Sequence, residues 1–99
     1  MTFTFHSEAR LEYVAAAKYY EERRPGLGAR FSIEIEAAIE RVMEAPSRWP
    51  VLKEDVRRCL THIFPYAIIY TIERDSVLIL AVMHCSREPG YWRNRQTQK

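Results

Sequence analysis

His84, Arg87 and Tyr91 fall within eight residues of one another, where a long apolar run ends, and Arg57 stands earlier beside Arg58. An imidazole, two guanidinium groups and a phenol are the parts needed to cut an RNA phosphodiester without a metal. The 2′-hydroxyl needs a general base, the pentavalent phosphorane needs positive charge, and the departing 5′-oxygen needs an acid. Imidazole is the side chain that exchanges protons near neutral pH, which casts His84 as base or acid. Arg57 and Arg87 would hold the phosphate, and Tyr91 would stack a base or assist proton transfer. Each residue also has a plainer reading. His84 can be a satisfied residue at a strand end. Tyr91 and Trp92 can pack the tail onto a sheet. Arg57 or Arg58 can pair with Glu34 or Glu36. Cys59 reads as a small core residue, and Cys85 would need a partner base to act as a nucleophile.

The elements that must position these residues are legible in the periodicity. TFTF at the start alternates and reads as an edge strand. Ser7 suits a helix N-cap, with Glu8 in the first turn. Leu11, Val14, Ala15 and Tyr19 then recur at helical spacing, with Glu12, Lys18 and Glu22 among the polar positions, so a helix is expected over about 8–23. RRPG ends it. A second helix carries one apolar stripe of Leu27, Phe31, Ile35, Ala38, Ile39 and Val42, and Pro46 stops it. The short break predicts an antiparallel helical hairpin. PSRWPVLKED, with two prolines, reads as a loop. VRRCLTHI, YAIIYTIE and SVLILAVMH then predict a three-stranded antiparallel meander. The last of these is apolar on both faces, so it belongs inside the sheet with both sides covered. The hairpin covers one side. The other falls to the C-terminal tail or to a partner. Adjacent strand residues point to opposite faces, so only one of Arg57 and Arg58 can share a face with a given site.

Composition narrows the class. The 99 residues suit one domain, 1–99, with a modest core, and 47% hydrophobic against 28% charged residues argues against disorder. The net charge is +2, but residues 1–50 carry seven basic and eight acidic side chains, and residues 51–99 carry eight and five. Twelve of the fifteen basic residues are arginine, the better residue for forked contacts to carboxylate or phosphate. The two cysteines form neither a disulfide framework nor a zinc site by spacing, and no Gly-rich phosphate loop is present, so no metal or cofactor is expected. No signal peptide opens the chain and no apolar run approaches a membrane span, which makes a cytoplasmic protein the expectation.

Three strings then carry a resemblance. They are A..YYEE..PGLG.RF..EIE.AI.R....P..WP within 15–50, RR.L...FPY.I.Y at 57–70, and ILAV.H..R.PGYW..R at 79–95. Together they span nearly the whole chain, and it resembles the RelE/ParE superfamily of type II toxin–antitoxin toxins, particularly the ParE-like, plasmid-stabilisation branch. The resemblance implies an α+β fold of order β-α-α-β-β-β, an antiparallel sheet packed by a helical hairpin, and a short C-terminal helix or turn. It implies a growth-inhibiting toxin, held in a hetero-oligomer by a cognate antitoxin whose C-terminal segment covers apolar surface. ParE-like members inhibit DNA gyrase, the favoured target here. RelE-like members cut mRNA on the ribosome, and only in that case would Arg57, His84, Arg87 and Tyr91 be catalytic. A non-toxic antitoxin-binding module is the third implication. Two departures weigh against RNA cleavage: Ser86 stands where many relatives have a second arginine, and Lys53 is the one lysine in the PSRWPVLKED stretch that leads into the meander.

Overall fold

The computed structural model describes residues 1–97. Strand β1 (Thr2–Phe5) leads into helices α1 (Ser7–Arg23) and α2 (Leu27–Glu44). Strands β2 (Val51–Lys53), β3 (Val56–Leu60), β4 (Tyr66–Glu73) and β5 (Ser76–His84) follow, and a 3₁₀ turn (Arg93–Thr97) ends the described chain. They form one sheet in the order β1-β5-β4-β3-β2. The meander is antiparallel as expected, but β1 lies parallel to β5, so the sheet is mixed. A strand that leaves into a helical hairpin has no tight turn forcing it to reverse against its neighbour. A second departure is β2, which lies in the stretch expected to be a loop. Three residues pair irregularly with β3, and Pro50 precedes them, where a missing N–H costs the ladder nothing.

Helix α1 differs from its sequence reading in both its start and its facing. Its N-cap is His6, not Ser7: the His6 Nδ1 accepts from the Glu8 amide at 3.0 Å. The residues expected to face the core face outward instead, with Leu11 61% and Val14 59% exposed. Ala9 and Ala16 are buried in their place, flanked by Tyr13, Ala17 and Tyr20. Close approach explains the reversal. A Cβ added to Gly28 of α2 would come 2.6 Å from the Ala17 carbonyl, so the hairpin has room only for small residues along its seam. The junction is closed by Glu21, whose carboxylate accepts from the Gly26 and Gly28 amides. Gly26 takes the left-handed conformation, φ +89°, which a side chain would strain.

Helix α2 buries its expected stripe against the sheet. Phe31 sits at the centre, with edge-on contacts to Phe64 and Tyr66. Beyond them, Tyr70 is fully buried and donates its hydroxyl to the Pro46 carbonyl at 2.6 Å. The opposite face of the sheet carries a second apolar layer, including Val56, Ile69, Leu78, Leu80 and Met83. The tail covers that layer with Trp92, which is itself buried, and Tyr91 packs beside it. Of the two covers the sequence leaves open for this face, the tail suffices for these residues.

Candidate functional site

Strand β1 pairs with β5 only as far as Ile79, so the second half of β5 has no strand along that edge. An edge of this kind leaves backbone groups unsatisfied unless something caps them. The register also steps between Ile69 and Tyr70, leaving Leu80 as an extra residue in β5. Two side chains take the place of the missing strand. The Val82 amide donates to Glu12 Oε1 at 3.0 Å, and Arg95 Nη1 donates to the Leu80 carbonyl at 3.0 Å. The two side chains also grip each other as a fork: Arg95 Nη1 and Nη2 each lie 3.0 Å from a Glu12 oxygen. Burial works against the charge on Arg95, but the Glu12 carboxylate outweighs it and raises the arginine pKa.

Around this lock the structure gathers three of the four residues singled out in the sequence. Arg87 stacks on the Tyr91 ring, its Cζ 3.9 Å from the centroid, and its Nη1 lies 4.0 Å from Glu12 Oε2. The Tyr91 hydroxyl is buried beside Glu12 without a hydrogen bond of good geometry. Burial, reinforced by that carboxylate, pushes its pKa well above the usual phenol value. His84 stands at the end of β5 with its ring edge-on to Tyr66, centroids 5.1 Å apart. The Ser86 amide donates to His84 Nδ1 at 3.0 Å, and Ser86 Oγ lies 2.7 Å from the same nitrogen. A ring nitrogen that accepts a backbone N–H carries no proton, so the neutral ring holds its proton on Nε2. In that tautomer Nε2 is a donor and not a base. His84 and Arg87 line a groove of about 270 Å³ between α1 and the end of β5, with Tyr19 and Tyr66 among its walls.

Arg57 lies outside this group. It pairs in register with Tyr70, whereas His84 pairs with Tyr66. That is four positions along β4 and two strands across, roughly 16 Å between backbones at ordinary sheet spacings. Its guanidinium donates to the Ser47 and Trp49 carbonyls at 3.0 and 2.7 Å, fastening the segment before β2, and does not take up Glu34 or Glu36. Cys59 is buried against α2, and that burial raises its thiol pKa. Among the described residues no group of three His, Cys, Asp or Glu side chains could hold a metal ion, and no helix is long and apolar enough to cross a membrane.

Glu12 and Arg95 carry no local pattern in the sequence that marks them as a pair. Glu12 reads as one of the polar positions of α1, yet it shares a helical row with Ala9 and Ala16, which face inward. A carboxylate in line with small buried residues is the signal that it has a partner. Arg95 closes the third string quoted above, and only the fold shows what it meets.

Comparison with known proteins places the fold. The family model described as the ParE toxin of the type II toxin–antitoxin system parDE matches residues 3–89. Among solved structures, the chain is similar to one titled as the chromosomal ParDE toxin–antitoxin system from P. aeruginosa. The TM-score is 0.75 at 14% identity, and the match covers 85% of this chain and 95% of that one. A search of curated proteins finds no match.

Proposed function

Because the chain belongs to the ParE toxin family of type II toxin–antitoxin systems, we propose that it arrests growth by binding DNA gyrase rather than by cutting RNA. The observation that carries this reading is that the candidate nuclease lacks a free general base and has one of its two phosphate-holding arginines engaged elsewhere. His84 Nδ1 is taken by Ser86, and Nε2 carries the ring proton. The Tyr91 phenol is buried and harder to ionise than usual. Arg57 is spent on the carbonyls of Ser47 and Trp49. A phosphodiester in the groove would meet Arg87 but no free base. A surface of exposed cations, aromatics and apolar side chains, by contrast, is what protein–protein recognition uses.

One observation favours the alternative, a ribosome-dependent mRNA endonuclease. Arg87 is half exposed and sits beside the His84 donor, where a phosphate could be held. The two readings separate in a purified system. Toxin freed of its antitoxin is titrated into a gyrase supercoiling assay, and in parallel into ribosomes programmed with a defined mRNA. The expected outcome is loss of supercoiling near stoichiometric toxin, with the mRNA intact. Undiminished supercoiling together with discrete mRNA cuts would replace this reading with the endonuclease.

A further inference from the structure

The edge of the sheet opposite β1 is β2, and β2 covers β3 only in part. Val51 pairs with Arg57 and Lys53 with Val56, so Cys59 and Leu60 have no strand beside them on that side. Arg41 reaches across from α2 instead and donates to the Leu60 carbonyl at 3.1 Å. A hollow of about 270 Å³ lies here, walled by Arg41, Trp49, Pro50, Arg58, Leu60 and His62. Strands β3 to β5 separate it from the groove that holds His84 and Arg87. Its rim is apolar. Leu60 stands 51% exposed, as do Val51 beside Pro50 at 50% and Ile63 beside His62 at 72%.

The chemistry of this edge selects its occupant. No carboxylate lines the hollow, and the side chains of Arg58 and His62 have no partner among the described residues. Unspent donors beside exposed aliphatic side chains fit a partner that carries acids among apolar residues. A nucleic acid strand fits less well. Its phosphates would use Arg58, but they offer nothing to Val51, Leu60 and Ile63, and the Trp49 ring that a base would need already has Arg48 over it, 5.8 Å from the centroid. A second copy of this chain also fits poorly, because a two-fold contact would set these cations against their own equivalents. We propose that the β2–β3 edge is the surface through which the toxin engages gyrase, and that the partner segment is acidic and apolar. Its apolar side chains lie on Leu60 and Val51, and a carboxylate takes the Arg58 fork. This rests on the gyrase reading and adds to it the place and the chemistry of the contact.

The test uses the full-length toxin, freed of its antitoxin, in a gyrase supercoiling assay and in direct binding to immobilised gyrase at two salt concentrations. Leu60→Glu and Arg58→Glu should each weaken binding and inhibition by about 30-fold or more, the scale of an interface hot spot. Arg58→Glu should also flatten the salt dependence. Ile33→Glu, at an exposed position of α2, should stay within about threefold of wild type. Melting curves, and an affinity for the antitoxin within about threefold of wild type, show that the two edge variants still fold. Wild-type inhibition by both edge variants overturns the proposal and leaves the gyrase reading standing. So does a loss of antitoxin affinity in well-folded edge variants that still inhibit gyrase, because the edge would then serve the antitoxin. A labelled DNA oligonucleotide that binds wild type and not Arg58→Glu in the absence of gyrase also overturns it. Undiminished supercoiling with wild-type toxin removes the gyrase reading itself, and this proposal with it.

Discussion

Glu12 and Arg95 are 83 positions apart in sequence and meet through two hydrogen bonds of 3.0 Å each. The pair joins the first helix, the open edge of β5 and the C-terminal tail at one point. Both side chains are mostly shielded, at 17% and 12% exposure, so removing either leaves the other charge with too little water.

Arg95→Ala should therefore destabilise the fold by about 3 kcal/mol, and Glu12→Ala by a similar amount, since breaking a shielded pair strands a charge. The double variant should lose much less than the sum, because neither charge is then stranded. Urea unfolding of the four proteins gives the coupling directly. Strict additivity would mean the lock contributes nothing as a pair.

Trp92 closes the tail over the second apolar layer, and its indole N–H is buried without a partner. Trp92→Ala should cost about 3–5 kcal/mol as a large cavity opens. Trp92→Phe should cost far less, because it removes an unsatisfied donor along with some volume. A phenylalanine variant as unstable as the alanine variant would mean the indole nitrogen does find a partner.

Gly28→Ala is the matching test for the hairpin seam. Its new methyl would meet the Ala17 carbonyl at 2.6 Å and the Glu21 Cβ at 2.9 Å, and neither is the loose end of a flexible chain. A loss of about 1–3 kcal/mol is expected, the usual range for overpacking. The melting temperature measures it, and an unchanged value would show that the helices separate freely.

The alkaline limit follows from the tyrosines. Burial pushes Tyr70 from its ordinary value of 10.0 up to about 12, and Tyr13, Tyr20, Tyr66 and Tyr91 shift in the same direction. A raised folded-state value means the unfolded chain ionises first. The contribution of Tyr70 is thus complete below pH 10 and is lost as the pH climbs towards 12. Urea midpoints should fall across that window, and Tyr70→Phe should flatten part of the slope. A wild-type midpoint that stays constant from pH 9 to 11.5 would contradict the assignment.

The parts of this molecule readable in sequence are those fixed by strong local patterns. The α2 stripe, the two long strands and the glycine–proline junction between the helices all stand where periodicity and turn chemistry put them. What escaped is what distance in sequence decides. The parallel pairing of β1 depends on where the hairpin returns the chain. The inward face of α1 depends on how closely α2 and β5 approach it, which makes alanine the core residue and Leu11 and Val14 the surface. The same blind spot hid Glu12 and Arg95, while His84, Arg87 and Tyr91 were found because they are neighbours in the chain. Arg57 joins that group in sequence through its place on the first strand of the meander and through the resemblance, and strand register separates it from them.

We propose that this member of the ParE toxin family stops DNA transactions and not translation. Pulse labelling tests it most directly: the chain is expressed alone from a tight promoter, and labelled thymidine and labelled methionine incorporation are followed over the first minutes. The expected result is that thymidine incorporation falls first while methionine incorporation continues. Methionine incorporation collapsing first, with thymidine unaffected, would contradict it and return His84, Arg87 and Tyr91 to the role of a nuclease site.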